Sequence, residues 1–206
     1  MRIAVCVKWV DLRPEVDALT GAVRTDDRSS GWSPADRAAV ESALRWRDSK
    51  AGSTVLVVCA GPPAADRGLR DLLAAGVDEL LRVDQDDPDL ESASVAAALA
   101  VEVAGADWVL CGDHSADRGS GSVPAFVAHA LGAEQALGLV DVGTPDEGTV
   151  RVRRRLGGGR SERLDVAAPA VLSVEGSVAL LRRASLGSEL AAGRAVVAND
   201  VMAVST

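Results

Sequence analysis

Aromatic residues are scarce in this chain: its 206 residues include no tyrosine, one phenylalanine and four tryptophans. Alanine, valine and leucine must therefore fill the core, and the length suits one substantial core rather than two ordinary domains. Long apolar runs are missing too, since none reaches the roughly 20 residues that a membrane-spanning helix needs. We therefore expect no membrane insertion.

Positive charge is also in short supply. Lys and Arg total 22 against 30 Asp and Glu, a net charge of −8, which argues against nucleic-acid binding through a broad basic field.

The three cysteines form no C-x-x-C pair, which disfavours a dithiol oxidoreductase and is typical of reduced thiols. A strand that begins next to Met1 leaves no room for a signal peptide, so we expect a cytoplasmic protein.

Known catalytic and phosphate-binding signatures do not occur. The sequence lacks GxxxxGK[ST], and no GxGxxG follows the first strand, which excludes a P-loop NTPase and a dehydrogenase-type dinucleotide fold. His114 and His129 are the only histidines, without carboxylates or thiols at ligand spacing, so no metal site is predicted. A GxSxG elbow is absent as well, and we predict no catalytic residues.

Three short apolar runs, over residues 3–7, 55–59 and 108–111, each carry a cysteine at or beside their last position. Such β-branched runs between helix-like segments are typical of buried parallel strands. Ligands bind at the carboxyl ends of strands in an open α/β sheet. We therefore predict that all three cysteines face one site there. For each cysteine taken singly, the alternative is a small core side chain.

Strand and helix patterns alternate over the first two thirds of the chain, which indicates a parallel α/β architecture. Ser33-Pro34 marks a helix start, with serine at the cap and proline in the first turn. Residues 11–32 are predicted to be a long loop or a hairpin excursion. Strands are predicted at 2–10, 54–59, 80–83 and 107–111, and helices at 33–50, 63–75, 92–103 and 123–131.

The pattern changes beyond residue 131. Two runs at 150–156 and 163–166 flank Gly157-Gly158-Gly159, which predicts a β-hairpin whose glycines supply positive φ angles. One more strand is predicted at 170–174. We interpret residues 1–174, with the hairpin at 150–166, as one α/β domain. Residues 175–206 are polar and hard to fit into the same core, so we predict a partner-recognition loop and a short tail.

The segment 112–122, GDHSADRGSGS, joins a predicted strand to a predicted helix. Its small residues let backbone N–H groups approach a phosphate, and the helix N-terminus adds partial positive charge. The alternative is a flexible Gly/Ser connection, and composition alone does not separate the two.

Six blocks of this sequence, in chain order, resemble the β subunits of the electron transfer flavoproteins. The family's features are a VCVK opening strand, an N-P-x-[CD] turn with an EEALRL helix, an S-x-GP…LR-x-ALAMGAD block, an LCGRQAIDGDTGQ segment, a DGG hairpin and an R-Y-x-[ST]-L-P loop. The corresponding segments here are MRIAVCVKWV at 1–10, SPAD at 33–36 with VESALR at 40–45, VCAGPP at 58–63 with LRDLLAAGVD at 69–78, LCGDHSADRGSGS at 110–122, GGG at 157–159 and RRASL at 182–186.

This resemblance implies a Rossmann-like parallel sheet of the adenine nucleotide alpha hydrolase-like type, with a β-hairpin and a C-terminal recognition loop. It further implies a heterodimer with an α-type subunit, FAD shared with or held by that subunit, and AMP or a second FAD in the β crevice. The pair shuttles electrons from a dehydrogenase to an acceptor, and the β subunit performs no bond chemistry of its own.

The resemblance also implies site residues. Leu186 corresponds to the apolar anchor for a dehydrogenase partner, and Arg182 to the start of that recognition loop. The implied nucleotide-binding residues are Cys6, Ser33, Pro34, Ala35, Asp36, Ala60, Gly112, Asp113, His114, Ser115, Ala116, Asp117, Arg118, Gly119, Ser120, Gly121 and Ser122.

The sequence departs from the family pattern in three places. The usual D-G-D-T-G-Q reads DRGSGS at 117–122, so Arg118 either supplies a new phosphate contact or closes the site. Gly187 replaces a proline, and residues 189–193 replace a basic K-A-K-K stretch. The chain also ends before the arm that wraps the α subunit in the family. These departures predict a diverged, shortened member with a specialised dehydrogenase partner. The chain resembles in this the shortened branch of the family, which implies a flavin- or mycofactocin-linked dehydrogenase.

Two other functions are compatible with parts of this pattern. A stand-alone adenine-nucleotide sensor of the universal-stress type has a similar layout but gives no reason for the hairpin at 150–166 or the tail. An enzyme of the nucleotide alpha hydrolase group needs an SGGxDS-type loop after the first strand, and residues 7–11 read VKWVD instead.

Overall fold

The computed structural model describes residues 1–85, 87 and 90–201 of the chain. Strands and helices alternate over most of this length, as predicted. Their bounds are β1 Arg2–Val7, β2 Trp9–Asp11, β3 Glu15–Val16, β4 Val23–Arg24, β5 Ser30–Trp32, α1 Pro34–Ser49, β6 Thr54–Gly61, α2 Ala65–Ala74, β7 Glu79–Asp84, α3 Ser92–Glu102, β8 Trp108–Gly112, α4 Val123–Leu131, β9 Glu134–Val142, β10 Thr149–Arg155, β11 Ser161–Ala167, β12 Ala170–Val174, α5 Leu186–Ala192 and β13 Ala198–Val201.

Nine of the strands formed by the described residues make one sheet in the order β11-β10-β9-β12-β8-β1-β6-β7-β13. From β9 to β13 every neighbouring pair is parallel, whereas β9–β10 and β10–β11 are antiparallel. The predicted fold class, a Rossmann-like and mainly parallel α/β sheet, is confirmed.

Helices cover both faces of this sheet. Side chains of α1 and α2, such as Leu44 and Leu69, belong to one buried apolar cluster, which also contains Trp46 and Trp108. Side chains of α3 and α4, such as Leu99 and Val127, belong to a second cluster on the opposite face. Trp46 and Trp108 meet edge to face with ring centroids 5.7 Å apart, so they supply the bulk that a core of small residues lacks.

The prediction that three cysteines converge is wrong for one of them. Cys6 and Cys111 are register partners on the neighbouring strands β1 and β8, and they share the α3–α4 face. Cys59 pairs with Val7 and lies in the cluster on the other face. Alternate residues of a strand point to opposite faces, so a shift of one position moves a side chain across the sheet. Burial raises the pKa of the Cys59 thiol to about 12.

Two predicted hairpins are confirmed. The excursion at 11–32 contains the β3–β4 hairpin, and its base is closed by the pairing of β2 with β5. In the second hairpin, β10 pairs with β11, and Gly158 and Gly159 in its turn have φ angles of 69° and 74°. Non-glycine residues rarely adopt such angles, so these two positions require glycine.

The prediction that the chain beyond Val174 lies outside the core is wrong for several residues. Ala179, Ala192 and Val197 are each at most 7% exposed, and β13 pairs with β7 at the edge of the sheet. Strand β9 was not predicted at all, although it links β12 to the antiparallel hairpin. Residues 202–206 of the predicted tail lie outside the described part of the chain. Within that part, no helix is long and apolar enough to cross a bilayer.

Candidate functional site

The order of the strands creates a crevice between β1 and β8. After β1 the chain passes to α1 on one face, and after β8 it passes to α4 on the other face. Two neighbouring parallel strands whose helices diverge in this way form a topological switch point, where open α/β sheets bind ligands. The N-termini of α1 and α4 both lie at this edge of the sheet.

The start of α1 is fixed by a capping box. Ser33 Oγ accepts a hydrogen bond from the Asp36 amide at 3.0 Å, and the Asp36 carboxylate accepts one from the Ser33 amide at 3.2 Å. Proline occupies the first helical position, where its missing N–H has no cost. A Cβ on Gly112 would come within 3.1 Å of both Ala35 Cβ and Asp36 Oδ1. Glycine at the end of β8 therefore allows the helix N-terminus to approach this closely.

Asp36 is a buried carboxyl group beside the crevice. Desolvation raises its pKa from 3.8 to about 6, although hydrogen bonds from Ser33 and from the Lys8 amide favour the ionised form. The thiols of Cys6 and Cys111 lie nearby, hydrogen-bonded to each other, and both residues are at most 5% exposed. The contact with the Cys6 thiol and burial raise the pKa of Cys111, so the Cys111 thiol suits an apolar floor better than a nucleophile.

The loop that follows β8 folds back on itself. The Ser115 amide donates to the Ser120 carbonyl at 2.8 Å, and the Gly119 amide donates to the Ser115 carbonyl at 2.8 Å. A Cβ on Gly121 would stand 2.3 Å from the Asp113 carbonyl oxygen, a distance that no side chain tolerates. The loop is therefore a compact turn with defined contacts, and the interpretation as a flexible connection is not favoured.

The loop delivers donors to the start of α4. Ser120 Oγ and Ser122 Oγ lie 2.9 Å apart, and Ser122 makes no side-chain cap to the helix. The first amides of a helix have no partner within it, and here they include those of Val123 and Ala125. Hydroxyl groups and helix N-terminal amides are the donors that phosphate groups accept from. The residues present therefore fit a phosphate-bearing ligand.

Lys8 is a residue of this site that the sequence alone did not identify. It follows β1 directly, and its Nζ lies 2.8 Å from both carboxylate oxygens of Asp117 and 3.0 Å from Ser115 Oγ. The position of a lysine directly after a strand that ends at the ligand edge was the signal available. Its side chain joins the loop after β1 to the loop after β8 across the crevice.

The other predicted loop residues have local partners. His114 Nδ1 lies 2.8 Å from Asp113 Oδ1, and the Asp113 amide donates to the Val174 carbonyl at 3.0 Å. Arg118 Nη1 donates to the Leu90 carbonyl at 3.0 Å, so its side chain links this loop to the segment before α3. Ala116 is exposed. Ala60 lies near the end of β6, one strand beyond β1.

The two predicted partner-binding residues lie outside the crevice. Arg182 donates to the Glu41 carboxylate from its backbone N–H, Nε and Nη2 at 3.0 to 3.2 Å, and from Nη1 to Asp48 at 2.7 Å. Burial raises the pKa of Glu41, but hydrogen bonds from Arg182 and Arg45 outweigh burial and leave it below its ordinary value. Leu186 opens α5 and is 72% exposed.

Two open clefts border other parts of the molecule. One, of about 490 Å³, is lined by residues of the 11–29 excursion, among them Asp11 and Arg24. The other, of about 400 Å³, lies between Trp9 and the start of α2, with Arg67 stacked 5.7 Å from the centre of the tryptophan ring. Both are open to solvent, and the convergence of helix ends and hydroxyl donors makes the β1–β8 crevice the better candidate. No three His, Cys, Asp or Glu side chains among residues 1–85, 87 and 90–201 are grouped to hold a metal ion.

Comparison with known proteins agrees with these features. The electron transfer flavoprotein domain matches residues 20–199. The chain is 31% identical to the electron transfer flavoprotein subunit beta of Syntrophomonas wolfei, over all of this chain and 81% of that protein. It is 32% identical to the caffeyl-CoA reductase-Etf complex subunit CarD of Acetobacterium woodii, over 84% of this chain and 68% of that one. It is 31% identical to the subunit beta of Methylophilus methylotrophus, over 73% and 59%.

The resemblance in the six sequence blocks is therefore confirmed over the length of the chain. The fold, with its mainly parallel sheet, agrees with it. The chain belongs to the electron transfer flavoprotein family as a member of the beta-subunit type, and its role is in electron transfer.

Proposed function

We propose that this chain is the β-type subunit of a heterodimeric electron transfer flavoprotein and binds an adenine nucleotide, AMP or FAD, between β1 and β8. The observation that supports this proposal most strongly is the topological switch point, where the starts of α1 and α4 meet the ends of two neighbouring strands. This placement suits a nucleotide better than any other class of ligand, because one end of the crevice is apolar and the other is rich in phosphate donors.

The two ends of the crevice have different tasks. Buried Cys6 and Cys111 and half-buried Ala60 provide apolar surface for the adenosine. The hydroxyls of Ser120 and Ser122 and the first amides of α4 receive the phosphate. Bound FAD supplies the redox chemistry, and the residues of this chain hold and orient the nucleotide. No acid or base residue is assigned a bond-making step.

The partners are an α-type subunit and a flavin- or mycofactocin-linked dehydrogenase. The relatives are named as subunits, and one belongs to a named complex, which supports a role in an assembly. The exposed Leu186 at the start of α5 is the apolar contact proposed for the dehydrogenase. Arg182 acts through its ion pair with Glu41, which holds the chain just before α5 against α1.

The stand-alone sensor is not favoured. The antiparallel extension β9–β11 and the edge strand β13 are integral parts of the sheet, and the matched family is one of electron transfer proteins. A sensor fold needs neither element.

The proposal is tested by producing the full chain together with an α-type subunit from the same source. We expect a one-to-one complex with a flavin absorption spectrum, and acid extraction that releases AMP or a second FAD beyond the shared FAD. A colourless chain that remains alone and carries ATP would contradict the proposal and favour the sensor.

A further inference from the structure

The Lys8 side chain already holds an anion. Its Nζ lies 2.8 Å from both oxygens of the Asp117 carboxylate, and Ser115 Oγ contributes a third polar atom at 3.0 Å from Nζ. The Ser115 hydroxyl also donates to the Asp117 carboxylate. An ammonium group and a hydroxyl group that converge on one anion are a common arrangement for binding a phosphate.

This internal pair can exchange its anion. The Lys8 and Asp117 side chains are 42% and 37% exposed, so water reaches both, and an exposed pair of this kind contributes little to stability. By contrast, Arg82 pairs with Asp66 at 2.7 Å with only 6% of its side chain exposed. The Lys8–Asp117 contact is therefore the weaker of the two, and it lies at the edge of the proposed nucleotide site.

We propose that Lys8 is a phosphate-binding residue of the crevice and that Asp117 competes with the ligand for it. The phosphate of an adenine nucleotide takes the place of the Asp117 carboxylate on Lys8 Nζ and Ser115 Oγ, and Asp117 turns to solvent. This inference rests on the proposed function, because it assigns two residues of the same site. Every bond concerned is a hydrogen bond or an ion pair.

The Asp117 carboxylate lies at the surface of the loop. Its side chain is 37% exposed, so it can turn towards solvent when the ligand takes its place. The fixed parts of the loop, the Ser115–Ser120 hydrogen bond and the close contact of Gly121 with Asp113, keep the donors in place.

Two substitutions separate this proposal from an ordinary loss of structure. With AMP and FAD as probes on the full chain in its heterodimer, Asp117→Asn should raise affinity about two- to fivefold, because the competitor is removed. Lys8→Met should lower affinity about tenfold, because a charge-assisted hydrogen bond is lost. Damage to the fold lowers affinity in both variants, so a gain in Asp117→Asn is the diagnostic result.

Matched controls exist in the same chain. Asp165→Asn removes one negative charge from an exposed ion pair with Arg151 in the second hairpin, and we expect unchanged affinity. Lys50→Met removes the only other lysine, which is exposed at the end of α1. Because the chain has just these two lysines, acetic anhydride labelling followed by mass spectrometry compares them directly. Saturating AMP should protect Lys8 and leave Lys50 reactive.

The outcomes separate the two levels of the proposal. If the wild-type chain binds nucleotide but Asp117→Asn binds it more weakly, the inference is overturned and the proposed function stands. The same holds if bound nucleotide leaves Lys8 unprotected. No AMP or FAD binding by the wild-type chain overturns the proposed function itself. Inorganic phosphate, tested alone, distinguishes a general anion site from one that needs the nucleoside. AMP should protect Lys8 at a lower concentration than inorganic phosphate does, and equal protection by both at the same concentration would contradict a site that recognises the nucleoside.

Discussion

Two ion pairs connect distant parts of this chain, and they differ in burial. Arg182 binds a Glu41 side chain that is 6% exposed, whereas Lys8 and Asp117 meet at side chains that are 42% and 37% exposed. When a buried carboxylate loses its partner, water cannot take the partner's place. When an exposed carboxylate loses its partner, water hydrates it instead. The first pair therefore fixes the chain before α5 on α1. The second pair stays available to a ligand.

The largest effect is expected from breaking the buried pair. Arg182→Met should lower the free energy of unfolding by about 3 to 4 kcal/mol, because Glu41 keeps its charge without its main partner. Arg45→Met is the matched control, since Arg45 pairs with the same carboxylate at 3.0 Å but is 57% exposed, and it should cost less than about 0.5 kcal/mol. Urea unfolding measures both, and equal losses would show that burial does not distinguish these pairs.

Asp36 is a second buried carboxyl group, but burial raises its pKa to about 6, whereas the pKa of Glu41 is lowered. Between its ordinary pKa of 3.8 and about 6, folded Asp36 binds more protons than unfolded Asp36. Stability from this group is therefore complete below pH 3.8 and is lost as the pH rises through 6. The loss is about 3 kcal/mol.

Asp36→Asn should remove that dependence. Urea unfolding at pH 4 and pH 7 gives the difference between wild type and variant at each pH, so that carboxyls with lowered pKa values, such as Glu41 and Asp48, cancel. A difference that does not change between the two pH values would contradict a raised pKa for Asp36.

A smaller effect on stability is expected at Gly121 in the 112–122 loop. Gly121→Ala places a Cβ against the Asp113 carbonyl, so the loop must shift, at a cost of about 1 to 2 kcal/mol. AMP affinity should fall about tenfold because the donors move with the loop. Gly157→Ala meets no atom within 4 Å and should change neither quantity. Calorimetric titration with AMP checks this, and equal affinities in both variants would remove the loop from the site.

The smallest effect on stability is expected at Leu186. It is 72% exposed, so Leu186→Ala should change the free energy of unfolding by less than about 0.5 kcal/mol. The same variant should slow flavin reduction by the partner dehydrogenase, with a higher KM and an unchanged kcat. Leu180→Ala, at a residue 86% exposed, is the control. Equal rises in KM for both variants would argue against a specific anchor.

Much of the central fold was readable from the sequence. The runs at residues 3–7, 55–59 and 108–111 became the central strands because continuous apolar sequence is needed where both faces are covered. Strand β9 was missed because Gly138 and polar residues interrupt it and only Ala136 and Leu139 are buried. Strand β13 is short, with polar residues at two of its four positions, and it pairs with β7 at the edge of the sheet, which no local pattern shows.

The candidate site was predicted in part. The helix start at Ser33 and Pro34 and the small residues of the 112–122 loop were visible as local patterns. Two contacts were not, because they join residues more than 100 positions apart: Lys8 with Asp117, and Glu41 with Arg182. The face of the sheet that Cys59 occupies depends on the register between β6 and β1, in which Cys59 pairs with Val7 and not with Cys6. The sequence of a single strand does not show this register.

The nucleotide content of the purified heterodimer tests the proposed site between β1 and β8 most directly. Acid extraction and quantitative chromatography of wild type and Gly121→Ala measure how much AMP and FAD each retains. We expect one adenine nucleotide per β-type chain in wild type, besides the shared FAD, and its loss from the variant while the shared FAD remains. A wild-type complex with no nucleotide beyond the shared FAD would contradict a nucleotide site between β1 and β8.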